Sequence, residues 1–67
     1  MKVTIKEFYN YPANDEAYFK GEVIEVVELK GFLKNYVRYY SIEQDFMGEV
    51  AKVETIDWIP KSICEVI

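Results

Sequence analysis

Hydrophobic and polar residues alternate along much of this chain with the period of two that is typical of β-strands. Near the start, Val3 and Ile5 are separated and flanked by polar residues. Residues 36–42 and 49–56 are rich in aromatic and β-branched side chains, and a short apolar stretch follows at 63–67. Such side chains suit the pleated, half-buried surface of a sheet. The pattern therefore predicts a strand in each of these segments.

Residues 22–29 fit two interpretations. The spacing of Val23, Val26 and Val27 would place them on one face of a helix. Gly21 precedes the segment, however, and half of its eight residues are β-branched, which lowers helix propensity and favours a strand. We predict a strand here.

Loop and turn signals divide the predicted strands. Residues 30–35 contain a glycine and predict a connecting loop, and residues 43–48 predict a polar turn that ends on a glycine. Pro60 cannot donate a ladder hydrogen bond and is expected to end the strand before it. At 67 residues the chain is expected to form a single domain over residues 1–67. Short strands with frequent turns predict an all-β fold, and a small barrel is favoured because closure removes exposed edges.

Charge and cysteine content narrow the classes of function. Twelve acidic and eight basic residues give a net charge of −4, which argues against binding duplex nucleic acid through its phosphates. The acidic residues are scattered, so a solvated surface is the simplest explanation and a surface for a basic partner is the alternative. The single Cys64 cannot form an internal disulfide, and with no histidine present no Cys/His metal site is expected. Without an apolar run of membrane-spanning length, we expect a cytoplasmic protein that needs no metal or cofactor.

The usual sequence signatures of an enzyme are missing. The chain has no histidine to act as a general base, no glycine-rich phosphate loop and no nucleophile elbow. The adjacent carboxylates Asp15 and Glu16 lie on a predicted loop. The expectation is a protein that is not an enzyme.

Three blocks of the sequence resemble SH3 domains, in the family's order and at nearly its spacing. Residues 7–11 (EFYNY) resemble the ALYDY signature, and residues 15–26 (DEAYFKGEVIEV) resemble the family's DELSF-x-KGD segment. Residues 58–67 (WIPKSICEVI) resemble its carboxyl-terminal block. The resemblance covers the chain from end to end. It implies a five-stranded SH3-like barrel whose aromatic groove binds proline-rich peptides.

The resemblance also implies a binding site. Tyr9 and Tyr11 match the two tyrosines of the signature, and Pro60 matches the proline of the last turn. Asp15 and Glu16 lie where the family's acidic loop pairs with a basic residue of the ligand. We expect a peptide-binding or protein-binding site in which Tyr9, Tyr11, Tyr36 and Pro60 form an apolar groove. Asp15 and Glu16 form its acidic loop, and Trp58 is included in the site.

The chain departs from the family at the groove. Tyr36 or Asn35 stands in place of the groove tryptophan, and Ile63 replaces the tyrosine of the last turn. Loss of a tryptophan hot spot removes ~2 kcal/mol or more of binding energy, so the fold carries over better than the ligand. Trp58 is assigned to packing first and to an interface anchor second.

The tyrosines have two interpretations each. Tyr9 and Tyr11 fit groove walls and packing equally well. Tyr36, Tyr39 and Tyr40 would suit stacking on bases, but few basic residues lie near them and packing is preferred.

Four functions are compatible with these features. The leading one is a non-catalytic protein–protein interaction module with an aromatic groove and an acidic loop. The alternative is a small acidic inhibitor, of the kind that phages encode, which occludes a basic nucleic-acid-binding surface on its target. The third is a structural subunit that associates through Trp58, Phe32 or Phe46, and the fourth is single-stranded nucleic-acid binding. The sequence does not fix the oligomeric state.

Overall fold

The computed structural model describes all residues from Met1 to Ile67, and the fold is all-β. Seven strands follow one another along the chain, with one short 3-10 turn at Lys61–Ile63. The strands are β1 (Lys2–Ile5), β2 (Tyr9–Tyr11), β3 (Glu16–Tyr18), β4 (Val23–Glu25), β5 (Asn35–Phe46), β6 (Glu49–Pro60) and β7 (Cys64–Val66). The predicted all-β class is confirmed.

The strands form three antiparallel sheets. One sheet has the order β4-β1-β7, and the other two are the pairs β2-β3 and β5-β6. The ladders do not join into a closed barrel, and the strands number seven where five were expected. An isolated antiparallel bridge between Val27 and Val37 connects the segment after β4 to the start of β5.

The core lies where the three sheets meet. Its side chains come from every sheet, so each short strand buries one face against the others. The buried members are Val3, Ile5, Tyr18, Ile24, Val26, Tyr36, Ile59, Ile63 and Cys64, with Tyr9 and Tyr11 packed against them. The core and the parts of the sheets that surround it, residues 1–40 and 55–67, are called the body below.

The prediction for residues 22–29 was right about the strand and wrong about its length. Only Val23–Glu25 pair with β1. The Val26 N–H then bonds the Met1 carbonyl, and Val27 crosses to β5. The segment therefore changes partner after three residues, which shortens the strand.

The prediction of a turn at residues 43–48 was right about its end at Gly48 and wrong about its extent. β5 and β6 are each 12 residues long and pair along their whole length from Asn35–Pro60 to Phe46–Glu49. The connection is only Met47-Gly48, with φ of 54° and 90°. The polar residues before it belong to the ladder. Both faces of this part of the hairpin lie in water, so no apolar alternation in the sequence marks the strand.

The other boundaries agree in part with the sequence pattern: β7 lies within the predicted 63–67, whereas β2 and β3 were not among the predicted strands. β1 covers the alternating start of the chain, and residues 30–35 form a loop up to Asn35. Pro60 ends β6, as expected of a residue that lacks an N–H, although β6 runs four residues beyond the predicted 49–56.

Candidate functional site

The distal half of the β5-β6 hairpin leaves the body and is called the arm, residues 41–54. Every residue of the arm is exposed except Ile42 and Val53, which are half-buried. A 12-residue strand spans roughly 40 Å. The molecule measures 40 × 26 × 19 Å, so the hairpin sets its long dimension.

The arm carries most of the net charge of the chain. It contains four acidic residues, Glu43, Asp45, Glu49 and Glu54, against the single Lys52. That is a net charge of −3 out of −4 for the whole chain, so the body is close to neutral. The other eight acidic residues lie on the body, where seven basic residues nearly balance them, so it is the net charge that is concentrated at one end of the folded molecule.

The tip of the arm adds exposed apolar surface. Phe46 is 54% exposed, Met47 is fully exposed and Val50 is 68% exposed. The left-handed φ of Met47 and Gly48 is typical of the tight primed turns that match the twist of a hairpin. The Asp45 carboxylate accepts a hydrogen bond of 2.9 Å from the Gly48 N–H, which holds this turn. An exposed apolar tip between acidic strands suits contact with another macromolecule.

The two faces of the hairpin differ. The inner face continues from the core residue Tyr36 and takes every second residue of β5 to Phe46, together with their partners on β6. The outer face begins with Val37 and Trp58 and continues through Tyr39 and Ile56 to the acidic residues of β5. Tyr39 and Ile56 lie opposite each other and are 53% and 43% exposed.

A buried carboxylate anchors the base of the arm. Asp57 is fully buried on β6 and accepts hydrogen bonds from the hydroxyls of Tyr18 and Tyr40 and from the Asn14 amide. The Tyr18 hydroxyl in turn accepts a hydrogen bond of 2.8 Å from Arg38. These groups come from β2-β3, from β5 and from β6, so the network fixes the hairpin on the body.

The network changes the acidity of its tyrosines. Burial, with the hydrogen bond to Asp57 and the charge of that carboxylate, raises the pKa of Tyr40 to about 12 from its ordinary value of 10.0. Burial and the hydrogen bond to Asp57 also raise the pKa of Tyr18 well above its usual range, against the opposing effect of Arg38. Both hydroxyls therefore stay protonated and act as hydrogen-bond donors.

Arg38 is held within the same network. Its Cζ lies 4.1 Å from the centre of the Tyr40 ring, and its Nη1 lies 3.7 Å from the Glu16 carboxylate. Burial lowers the pKa of the guanidinium, but the contacts with Tyr18 and Glu16 outweigh it and the net shift is upward. Arg38 therefore stays charged and has its partners within the chain.

The expected acidic loop is divided by the structure. Asp15 lies exposed in the turn after Pro12, with a left-handed φ of 50°. Glu16 is the first residue of β3, half-buried, and its carboxylate faces Arg38. Of the predicted pair, only Asp15 presents a carboxylate without a partner in the chain.

The expected groove residues lie in one region but face different neighbours. The Tyr9 ring packs between those of Tyr11 and Tyr18, with ring centres 6.5 and 6.4 Å away. The Tyr9 hydroxyl donates a hydrogen bond of 3.5 Å to the Trp58 carbonyl. Tyr11 is half-buried against the core.

Tyr36, Pro60 and Trp58 complete the predicted set. Tyr36 is only 7% exposed, and the Lys61 ammonium lies 5.1 Å from its ring centre. Pro60 is half-buried at the end of β6. The half-buried Trp58 ring packs against Phe32 on the outer face, with ring centres 4.9 Å apart.

The arm and the network around Asp57 were not predicted from the sequence. The flanking Ile56 and Trp58 lie on the opposite face of the strand, so this alternation alone predicts an exposed Asp57. The one signal of burial is that Asp57 shares its face with Ile59, two residues along. The donors to Asp57 are 17 to 43 residues away, so spacing did not reveal them.

Comparison of the chain with protein-family models, with curated proteins and with solved structures finds no match. No group of three or more cysteine, aspartate or glutamate side chains is arranged to hold a metal ion. The structure contains no helix with the length and apolar character of a membrane span.

Proposed function

We propose that this chain is a non-catalytic protein-binding module, and that its acidic arm engages a basic surface on a partner protein. The observation that carries the proposal is the separation of charge: a net −3 lies on an exposed hairpin that projects from a nearly neutral body. Such a field steers a positively charged partner toward the arm, and the apolar tip supplies contact area once the two have met.

The peptide groove suggested by the SH3 resemblance has less support. Tyr36 is buried beside Lys61, and Glu16 is paired with Arg38, so neither is free to contact a ligand. The body still has the SH3-like block order, and we propose that it is a divergent relative of that barrel. We also propose a cytoplasmic location, which the single, buried Cys64 favours.

The inhibitor hypothesis is favoured by the same observation. Carboxylates along two extended strands would compete with phosphates for the lysines and arginines of a nucleic-acid-binding surface. In this second candidate function the module binds its partner through the arm and thereby occludes that surface.

Two matched triple variants test the proposal. Glu43→Gln, Asp45→Asn and Glu49→Gln neutralise the arm, whereas Glu7→Gln, Asp15→Asn and Glu65→Gln remove the same charges from exposed positions of the body. Partners captured by the wild-type chain from an extract of its own cells should be retained by the body variant and lost by the arm variant. Capture should also weaken with added salt, because surface charges are screened beyond ~8–10 Å at physiological ionic strength.

The body variant also tests the acidic loop, because it includes Asp15. Loss of capture with the body variant alone would assign binding to these body carboxylates and would overturn the role of the arm, and the single variant Asp15→Asn would then test the loop. Thermal unfolding of both variants serves as the control for folding.

A further inference from the structure

The arm has a strand edge with unpaired backbone groups. Val37 exchanges two backbone hydrogen bonds with Val27, of 2.8 and 2.9 Å, so its N–H and C=O point away from β6. In an antiparallel ladder such outward-directed residues alternate with those that bond the partner strand. Every second residue after Val37 therefore also directs its N–H and C=O away from β6: Tyr39, Ser41, Glu43 and Asp45.

Nothing in the chain covers this edge beyond Val37. None of the backbone hydrogen bonds made outside the strand ladders involves a residue between Tyr39 and Asp45. The edge of β6 differs near the body, where side chains satisfy its outward carbonyls: Asn14 donates to Ile56, and Tyr9 donates to Trp58. The free edge of β5 is thus an uncovered template for one more strand, about 23 Å long.

The side chains beside this edge define what would fit. On the outer face an added strand would lie next to Glu43 and Asp45, which are two residues apart. Across the hairpin, Lys52 lies opposite Glu43, and the apolar Val50 lies opposite Asp45. On the inner face it would lie next to Ile42 and Phe46, which are apolar. A matching strand has lysine or arginine on one face and apolar residues on the other. The free residues of β6 include Lys52 and match such a strand less well.

We propose that the β5 edge from Tyr39 to Asp45 binds an extended segment of the partner by strand addition, and that this segment alternates basic and apolar residues. Main-chain hydrogen bonds supply affinity in this mode, and the alternating side chains supply specificity. A second copy of this chain is a poor occupant, because its own acidic edge would face the same charges. The proposal rests on the proposed function, since it names the partner segment that the acidic arm engages.

The test uses amide hydrogen exchange and NMR titration of the full chain with synthetic peptides. The probe is an eight-residue peptide in which lysine alternates with valine and threonine. One control has the same composition with the lysines grouped at one end, and another is N-methylated at residues of both edges so that neither edge can pair. The alternating peptide should bind at least about tenfold more tightly than either control.

Exchange identifies the edge that is used. In the free chain the amides of Ser41, Glu43 and Asp45 should exchange quickly, and the alternating peptide should slow them. Protection at Val50 and Lys52 instead would place the added strand on β6 and overturn the assignment to β5. Protection of the free chain that rises with its own concentration would overturn the proposal in favour of self-association.

Two proline variants provide a matched test. Ser41→Pro removes one outward N–H from the β5 edge without changing charge, and Val50→Pro does the same on the β6 edge. Ser41→Pro should weaken peptide binding about five- to tenfold, the effect of one lost hydrogen bond, while Val50→Pro should not. If either variant fails to fold, the N-methylated peptide still tests backbone pairing with the wild-type protein, and the amides that the alternating peptide protects identify the edge.

The outcomes separate this proposal from the proposed function. Strand addition would be overturned if the peptide changed NMR shifts only in the arm without slowing amide exchange in β5, and if the grouped peptide bound equally well. The acidic arm would then remain the binding element. If the peptide bound to the body and neutralising the arm did not change its affinity, both strand addition and the proposed role of the arm would be overturned.

Discussion

Asp57 shows how one residue decides where the hairpin sits. A fully buried carboxylate is costly unless it is hydrogen-bonded, and here three donors surround it. Tyr18 is the central donor because it also accepts a hydrogen bond from Arg38. Tyr18 and Tyr40 therefore contribute through their hydroxyl groups as well as through their rings.

Replacing Tyr18 by phenylalanine tests this role. Tyr18→Phe keeps the ring in the core but removes a donor from Asp57 and an acceptor from Arg38, so we expect the free energy of unfolding to fall by about 1–3 kcal/mol. Tyr39→Phe is the control, because the Tyr39 hydroxyl has no hydrogen-bond partner, and it should change stability by less than about 0.5 kcal/mol. Denaturant unfolding measures both variants, and equal values would show that the network does not stabilise the fold.

The β5-β6 hairpin is the element in which sequence and structure differ most. Periodicity predicts a strand only where one face is buried, and the arm buries neither face. Residues 43–46 therefore resemble a turn in sequence, although the ladder continues through them to Met47-Gly48. The proximal half was predictable because Tyr36 and Ile59 enter the core there.

Shortening the arm tests whether it is separate from the body. Deleting residues 43–46 and 49–52 together would bring Met47-Gly48 onto the Ile42–Val53 pair and keep the side-chain alternation on both strands. Every deleted residue is exposed, so the body should fold with nearly unchanged thermal stability while partner binding is lost. The amide NMR spectrum of the body residues provides the check, and their collapse to the narrow dispersion of an unfolded chain would mean that the arm is part of the folding unit.

At the scale of the molecule, the sequence predicted the class of fold and not its closure. Short amphipathic strands with frequent turns indicate an all-β domain, and the structure has one. Whether the sheets join depends on contacts between distant residues, such as the bridge of Val27 to Val37, and these leave no periodic signal. The concentration of charge on the arm has the same origin, because it follows from the hairpin projecting from the body.

The stability of the whole molecule should fall in alkaline solution for a reason that the network supplies. The folded state raises the pKa of Tyr40 from 10.0 to about 12 and raises that of Tyr18 further, so it favours the protonated hydroxyls. This contribution is fully present below pH 10, the ordinary pKa of an unfolded chain, and is lost as pH rises toward 12 and beyond.

The measurement is the free energy of unfolding as a function of pH, for the wild-type chain and for Tyr40→Phe. We expect stability to decline above pH 10 in both, with a shallower decline in Tyr40→Phe, because one of the groups whose pKa differs between the two states is gone. The absorbance of tyrosinate adds a second readout. The two tyrosine hydroxyls that donate to Asp57 should ionise after the other tyrosines of the chain or together with unfolding. If stability declined equally steeply with pH in the two proteins, Tyr40 would titrate alike in the folded and unfolded states. The hydrogen bond to Asp57 would then not keep the Tyr40 hydroxyl protonated.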